Sequence, residues 1–236
     1  MGKFVLFKGD VKMLLSFLGA DDFGVWDIVI CILSSLAVIF LTMPVHEYAH
    51  AFAAYKLGDS SQKYSGRLTL NPFAHIDWFG ALCIILAGFG WAKPVGVNPY
   101  SFKNRKLDMA ITAFAGPLAN LIVAFICIFL QNLFIFIFTK TFIVAIYYVA
   151  LFFFYIAYIN ISLAVFNLIP VPPLDGSKIL AIILPDRIYY NLMQYERYIY
   201  FAVLVLILSG ALDGPISTVS NNIYDAFDLI ANLPFN

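Results

Sequence analysis

Ile28-Val29-Ile30-Cys31-Ile32-Leu33-Ser34-Ser35-Leu36-Ala37-Val38-Ile39-Phe40-Leu41 runs without a charge into Thr42-Met43-Pro44-Val45-His46-Glu47-Tyr48-Ala49-His50. The junction governs how the rest of the chain is read. An apolar stretch of this kind predicts a helix within a bilayer, and on a helix residues four apart share a face. His46 and His50 can therefore offer imidazole nitrogens to a single cation, with Glu47 about 100° round the axis. Two ligands and a base in HExxH spacing point to zinc-assisted hydrolysis, in which the metal acidifies a water that the glutamate deprotonates. From Asp27 to His46 a helix rises roughly 28 Å, which puts these groups in the last third of a membrane. Pro44 removes one backbone hydrogen bond two residues before His46, and the kink it permits can open the ligand face.

Outward from this stretch the composition keeps the same character. Hydrophobic residues make up 62% of the 236, charged ones 12%, and the mean hydropathy is +0.88; soluble domains average roughly 45–50% apolar and about 25% charged. The expected fold is an all-α polytopic membrane protein, a bundle of about four to six transmembrane helices with a short membrane-associated β segment and a re-entrant segment. The whole chain, 1–236, is expected to form one domain, with the catalytic core over roughly 26–185. A formal net charge of zero and a pI near 6.8 leave no basic surface for nucleic acid. Cys31, Cys83 and Cys127 each lie in an apolar segment without CxxC spacing and read as packing residues.

Residues 1–24 carry Lys3, Lys8, Lys12 and Asp10 among apolar residues, and read as an interfacial segment rather than a removable signal peptide. A helix is expected from about Trp26 to Leu57, stopped by Gly58. The polar alternation from Asp59 to Asn71 suggests a short β segment or hairpin. The apolar run from Phe79 to Trp91 falls short of the ~17 residues that a crossing needs and reads as re-entrant. Leu107 to Phe138 and Phe142 to Leu168 form two spans joined at Thr139-Lys140-Thr141. Pro170, Pro172 and Pro173 forbid a regular helix after Leu168. A short helix over Ser177–Leu184, a polar link over 185–197 and a last span over about 198–212 complete the reading, with a mildly amphipathic tail from Asp213. If 79–91 does not cross, Lys63, Arg67, Lys93, Lys103, Arg105, Lys106, Arg187 and Arg197 share one side, which the positive-inside tendency makes cytoplasmic.

A catalytic zinc takes three protein ligands and a water, so the motif needs a third partner. The candidates are His75, Asp77, Asp108 and Asp175. The helix that bears the motif and the one that ends before Asp175 run the same way, so both reach similar depth, and Asp175 lies in irregular backbone of the kind tolerated there only within protein or a water cavity. His75 and Asp77 could reach the metal from the polar loop. Asn120 and Asn167 carry amide donors that suit an oxyanion, a substrate backbone or a contact between helices.

These motifs taken in order, His46-Glu47-Tyr48-Ala49-His50, Gly116-Pro117-Leu118-Ala119-Asn120 and Asn167-Leu168-Ile169-Pro170-Val171-Pro172-Pro173-Leu174-Asp175-Gly176, resemble the site-2 protease family of zinc intramembrane proteases. Arg67 to Pro72 and Trp91 to Val95 extend the likeness, which covers roughly residues 40–180. It implies that His46, His50 and Asp175 bind one Zn2+ ion, that Glu47 is the general base, and that Asn120 and Asn167 assist substrate or transition state. It also implies a transmembrane protein substrate cleaved within the lipid bilayer, and a prokaryotic cell membrane with the active site toward the cytoplasm. The sequence shows neither an inserted PDZ domain nor a CBS domain, and leaves a homo-oligomer open. The alternative function is a membrane metal-ion transporter or sensor using the same ligands.

Overall fold

The computed structural model describes residues 24–87, 93 and 95–235. The interfacial reading of the N-terminal segment therefore lies outside the described residues, as do parts of the Trp91–Val95 loop. Helix α1 (Val25–Ala37) passes through one π-helical turn (Val38–Thr42) into α2 (Met43–Lys56). The turn answers the proline: Pro44 has no N–H to give, and Met43 N–H bonds five residues back to Val38 O. The helix stops as expected, with Gly58 at φ 118°, its N–H on Tyr55 O and Asp59 N–H on Ala54 O.

The segment expected to be β is not. Among the described residues there is no strand; Ser61–Tyr64 form a one-turn helix, α3, and Pro72–Ala74 a 3-10 turn. Asp59 decides the first, because its Oδ1 accepts from both the N–H and the hydroxyl of Ser61 and so folds the chain back on itself. Arg67 then spans the loop, donating from Nη1 to Ala74 O at 2.8 Å, a cross-link that polar alternation does not reveal.

α4 (Trp78–Ala87) is ten residues long, too short to cross, and packs Ala81 and Ile84 against Ile39, Met43 and Ile76. α5 (Arg105–Thr141) and α6 (Val144–Asn167) make the long hairpin of the bundle. Its reversal comes at Phe142, with φ 55°, one residue past the expected 139–141. Alanines 51, 54, 124, 157 and 164 are fully buried, and such small residues let helices approach closely where lipid gives no hydrophobic drive to associate. Ser34 Oγ donates to Phe152 O and ties the first span to α6.

After Asn167 the chain is irregular to Leu174, and α7 (Asp175–Ile183) follows. The polar link contains a helix, α8 (Asp186–Gln194), beginning after Pro185, a residue well suited to precede a helix. The last apolar run gives a 13-residue helix, α9 (Glu196–Leu208), too short for the span expected over 198–212. Gly210 ends it, at φ 76°, with its N–H on Ile207 O and Ala211 N–H on Leu206 O. The tail forms instead a 19-residue helix, α10 (Asp213–Ala231), antiparallel to α6 and parallel to α5. It is fixed by Asn132 Nδ2 donating to Asp228 Oδ1, Tyr224 OH donating to Gln131 Oε1, and Phe227 edge-on to Phe125.

Three of these helical stretches are long and apolar enough to cross a membrane: Val25–Lys56, α5 and α6. The molecule is an all-α membrane protein. The C-terminal ends of the first span and of α6 meet the N-terminal third of α5 at one depth.

Candidate metal centre

On α2, one turn apart, His46 and His50 point the same way, with their Nε2 atoms 3.0 Å apart. Asp175 reaches them from the start of α7, its Oδ2 at 3.0 Å from His50 Nε2 and 3.6 Å from His46 Nε2. Four ligands set tetrahedrally about 2.0–2.1 Å from zinc stand about 3.3 Å from one another. The observed spacings bracket that value. His50 Nδ1 donates to the Thr112 carbonyl at 2.7 Å, so its Nε2 carries the lone pair that a metal requires. Two imidazoles and a carboxylate, one ring already held in the right tautomer, fit a zinc ion; among the described residues this is the one group of three or more such side chains that converges.

Packing makes the geometry possible. Gly116, on α5, lies directly against the two rings: a Cβ there would fall 2.6 Å from His50 Cε1 and 2.7 Å from His46 Cε1. Only a glycine lets α5 approach closely enough to bring the Thr112 carbonyl behind His50. Gly176 does the same for Asp175, since a Cβ on it would collide with the carbonyl oxygens of Leu168 and Ile169. The peptide groups of the proline-rich break are thus packed on the first turn of α7, which also presents its N-terminal dipole to the carboxylate.

His46, Glu47, His50, Asn120, Asn167 and Asp175 line one cavity of about 270 Å³. All six residues that the family resemblance implies come together. Glu47 is 7% exposed, and its Oε2, like His46 Nδ1 and Thr112 Oγ1, is buried without a hydrogen-bond partner among the described residues. An unmatched carboxylate oxygen costs free energy unless something polar meets it, and the open space beside it can hold water. Asn120 is almost fully buried. One N–H of Asn167 is already engaged, donating to Leu163 O at 2.9 Å on its own helix. Val95 and Val97 form part of the wall, and Tyr200, Val203, Leu204 and Ile207 of α9 another part.

The other candidate ligands are occupied elsewhere. His75 is wholly buried, with Nε2 donating to Thr69 O; burial foremost, and the Arg67 charge with it, outweigh that hydrogen bond and hold its pKa below the ordinary histidine value. Asp77 caps α4 through Phe79 N–H and Gly80 N–H, and Asp108 accepts from Asn104 N–H at the start of α5. Thr112 and Lys178 escaped sequence reasoning. The first acts through a backbone carbonyl, which no side-chain pattern records. The second could have been found three residues past Asp175, where a helix brings it back alongside.

Comparison with known proteins supplies an independent line. The model of Peptidase family M50 matches residues 136–210, the stretch that contains Asp175. A Bacillus subtilis protein, "Putative zinc metalloprotease YwhC", is 40% identical over 173 residues, covering 72% of this chain and 78% of that protein. The chain belongs to peptidase family M50. The likeness to site-2 proteases drawn from its motifs is thereby borne out. Proteins carrying the same description under the name Rip2 stand further off: 26% identity over 84% of this chain and 76% of the relative in Mycolicibacterium smegmatis, and 28% over 80% and 71% in Mycobacterium tuberculosis. No solved structure matches significantly. In this member of family M50 the HExxH helix and the distant Asp175 are brought together as one donor set.

Proposed function

We propose that this chain is a single-domain, zinc-dependent intramembrane endopeptidase that hydrolyses peptide bonds in or near transmembrane segments of other membrane proteins. The observation that carries this reading is the meeting of His46, His50 and Asp175 with Glu47 in one cavity at membrane depth. His46, His50 and Asp175 are the ligands. When bound, zinc supplies Lewis acidity, which polarises a carbonyl and brings the pKa of water down to about 7. Glu47, buried with one oxygen unmatched, takes the proton of the attacking water and passes it to the departing amine. Asn120, with the free groups of the Asn167 amide, donates to the substrate backbone or to the developing oxyanion.

A transmembrane helix hides its amides in its own hydrogen bonds, so the substrate must unwind before attack. The non-helical stretch from Val95 to Asn98 lies beside the cavity and offers extended backbone to an unwound segment. Lys56, Lys63, Arg67, Lys93, Lys103, Arg105, Lys106 and Lys178 gather toward the end of the bundle where the site lies, whereas Lys140 stands at the far turn. We place the site toward the cytoplasm of a prokaryotic cell on that bias. Metal transport would call for ligand groups spaced along a path, and the gathering of donors at one depth supports hydrolysis instead.

The test is Glu47→Gln in protein reconstituted with a single-span substrate, with zinc content measured alongside. The variant keeps its zinc and loses about 10²–10⁴-fold in cleavage rate, the usual worth of a general base. Cleavage at the normal rate by zinc-loaded Glu47→Gln overturns the assigned base.

A further inference from the structure

Lys178 stands one helical turn beyond Asp175. Its Nζ lies 3.2 Å from Asp175 Oδ1, while Asp175 Oδ2 faces His50 Nε2 at 3.0 Å and His46 Nε2 at 3.6 Å. The two oxygens of one carboxylate therefore have separate partners. Lys178 also lines the cavity, where it is the single lysine or arginine among the described lining residues. We propose that Lys178 is a positioning residue of the metal centre: its ammonium holds Asp175 Oδ1 and leaves Oδ2 alone to face the ion. The inference rests on the reading that His46, His50 and Asp175 hold zinc.

A carboxylate turns easily about its last torsion, and beside a dication it can present one oxygen or both. At this site something must choose. Backbone packing at Gly176 fixes where Asp175 starts but not how its carboxylate is turned. An ammonium has three donors and no acceptor, so it can only pull an oxygen toward itself. The Lys178 contact is a charge-assisted hydrogen bond to the oxygen that points away from the histidines. Pairs three apart on exposed helices contribute little. This pair differs, because the Asp175 side chain is only 12% exposed and the lysine, 36% exposed, lines the cavity that holds it.

The opposing reading gives Lys178 only its charge. A positive charge near a zinc site repels the ion, and on that reading removing it tightens zinc binding. A lysine that orients a ligand has the opposite effect when lost. The sign of the change therefore separates the two readings.

The experiment measures zinc affinity by competition with a chelator, on full-length folded protein in micelles, for wild type, Lys178→Met, Lys178→Arg and Asp175→Ala. Lys178→Met is expected to bind zinc about 10–100-fold more weakly, the usual loss when the outer partner of a ligand is removed. Lys178→Arg, which restores a cation at that reach, recovers most of the loss. With Co2+ in place of zinc, the visible absorption of Lys178→Met changes from that of wild type as the carboxylate turns, and that of Lys178→Arg does not. Should Lys178→Met fail to fold, Lys178→Gln carries the same comparison. Unchanged or tighter zinc binding in folded Lys178→Met, with zinc lost from Asp175→Ala, overturns the role of Lys178 alone. Wild-type zinc affinity in Asp175→Ala overturns the ligand assignment, and the inference with it.

Discussion

Gly116→Ala adds one methyl group at the closest contact of the metal centre. The new Cβ would stand 2.6 Å from His50 Cε1 and 2.7 Å from His46 Cε1, where ordinary contact begins at 3.4 Å. His50 Nε2, the ligand atom itself, would be closer still, so relief requires the rings and α5 to part by more than about 0.8 Å, and zinc sites tolerate only about ±0.2 Å in their ligand distances. Neither side can yield freely. His50 is pinned by Thr112 O at 2.7 Å, and a retreat of α5 carries Thr112 away with it. The expected result is a zinc affinity lowered about 10–100-fold, or about 1.4–2.7 kcal/mol, with a similar loss of cleavage. Overpacking should also cost about 1–3 kcal/mol of stability. Chelator competition on purified protein measures the first effect, and cleavage of a single-span substrate in liposomes the second. A Gly116→Ala protein that binds zinc with unchanged affinity would show that α5 does not press on the two rings.

Asp59 is wholly buried; burial alone would raise its pKa, but hydrogen bonds from Ser61, Asn98 N–H and Gln62 outweigh it and hold the carboxyl below its ordinary 3.8. The unfolded chain then takes up a proton at higher pH than the folded one, so the Asp59 contribution to stability is full above pH 3.8 and is lost as acid titrates the folded group. Thermal unfolding in detergent should show a steeper acid loss for wild type than for Asp59→Asn, and parallel curves would refute this. For Asn132 and Asp228, 2.8 Å apart, a double-mutant cycle to alanine should yield a coupling of about 0.6 kcal/mol, at most about 1.7; zero coupling would mean that α10 is not seated there. Thiol labelling in a Cys83→Ser background, with Cys31 and Cys127 buried, should reach Lys103→Cys from the cytoplasm and Lys140→Cys from outside. Labelling of Lys103→Cys from outside would reverse the proposed orientation.

Motif spacing and apolar length carry their own physics, so the first span, the α5–α6 hairpin and the proline break after Leu168 were all legible. His46, His50 and Asp175 could be paired because parallel helices of similar length end at similar depth. What misled was side-chain bonding to partners near and far that a polar alternation does not display. The polar alternation of 59–71 looks like a strand until Asp59 is seen binding Ser61 and Asn98, and Arg67 reaching Ala74 and Lys93. At the C-terminus hydropathy outweighed a stop signal that was present, Ser209-Gly210, and the polar residues of 213–231 hid a helix that pairs Asp228, Tyr224 and Phe227 with α5. The carbonyl of Thr112 could not have been found at all, because every residue has one.

Each element that brings a group to the metal centre does so at an irregularity. A π-helical turn precedes His46, Pro117 interrupts the hydrogen bonds of α5 beside Gly116, and the 168–174 break delivers Asp175. In a bilayer such places are expensive, since unpaired backbone groups have no water to turn to unless protein or a wet cavity surrounds them. A regular helix, by contrast, seals its backbone and keeps water out. A hydrolase needs water at its metal, and three adjacent helices with loosened backbone form a wall to which water can bind. On this argument the irregularities are what let the cavity be wet. Forcing all five residues of Val38–Thr42 into regular α-helix would also rotate the histidines by about 100°, one residue step, away from Asp175, whereas deleting one of the five as well would return them to register.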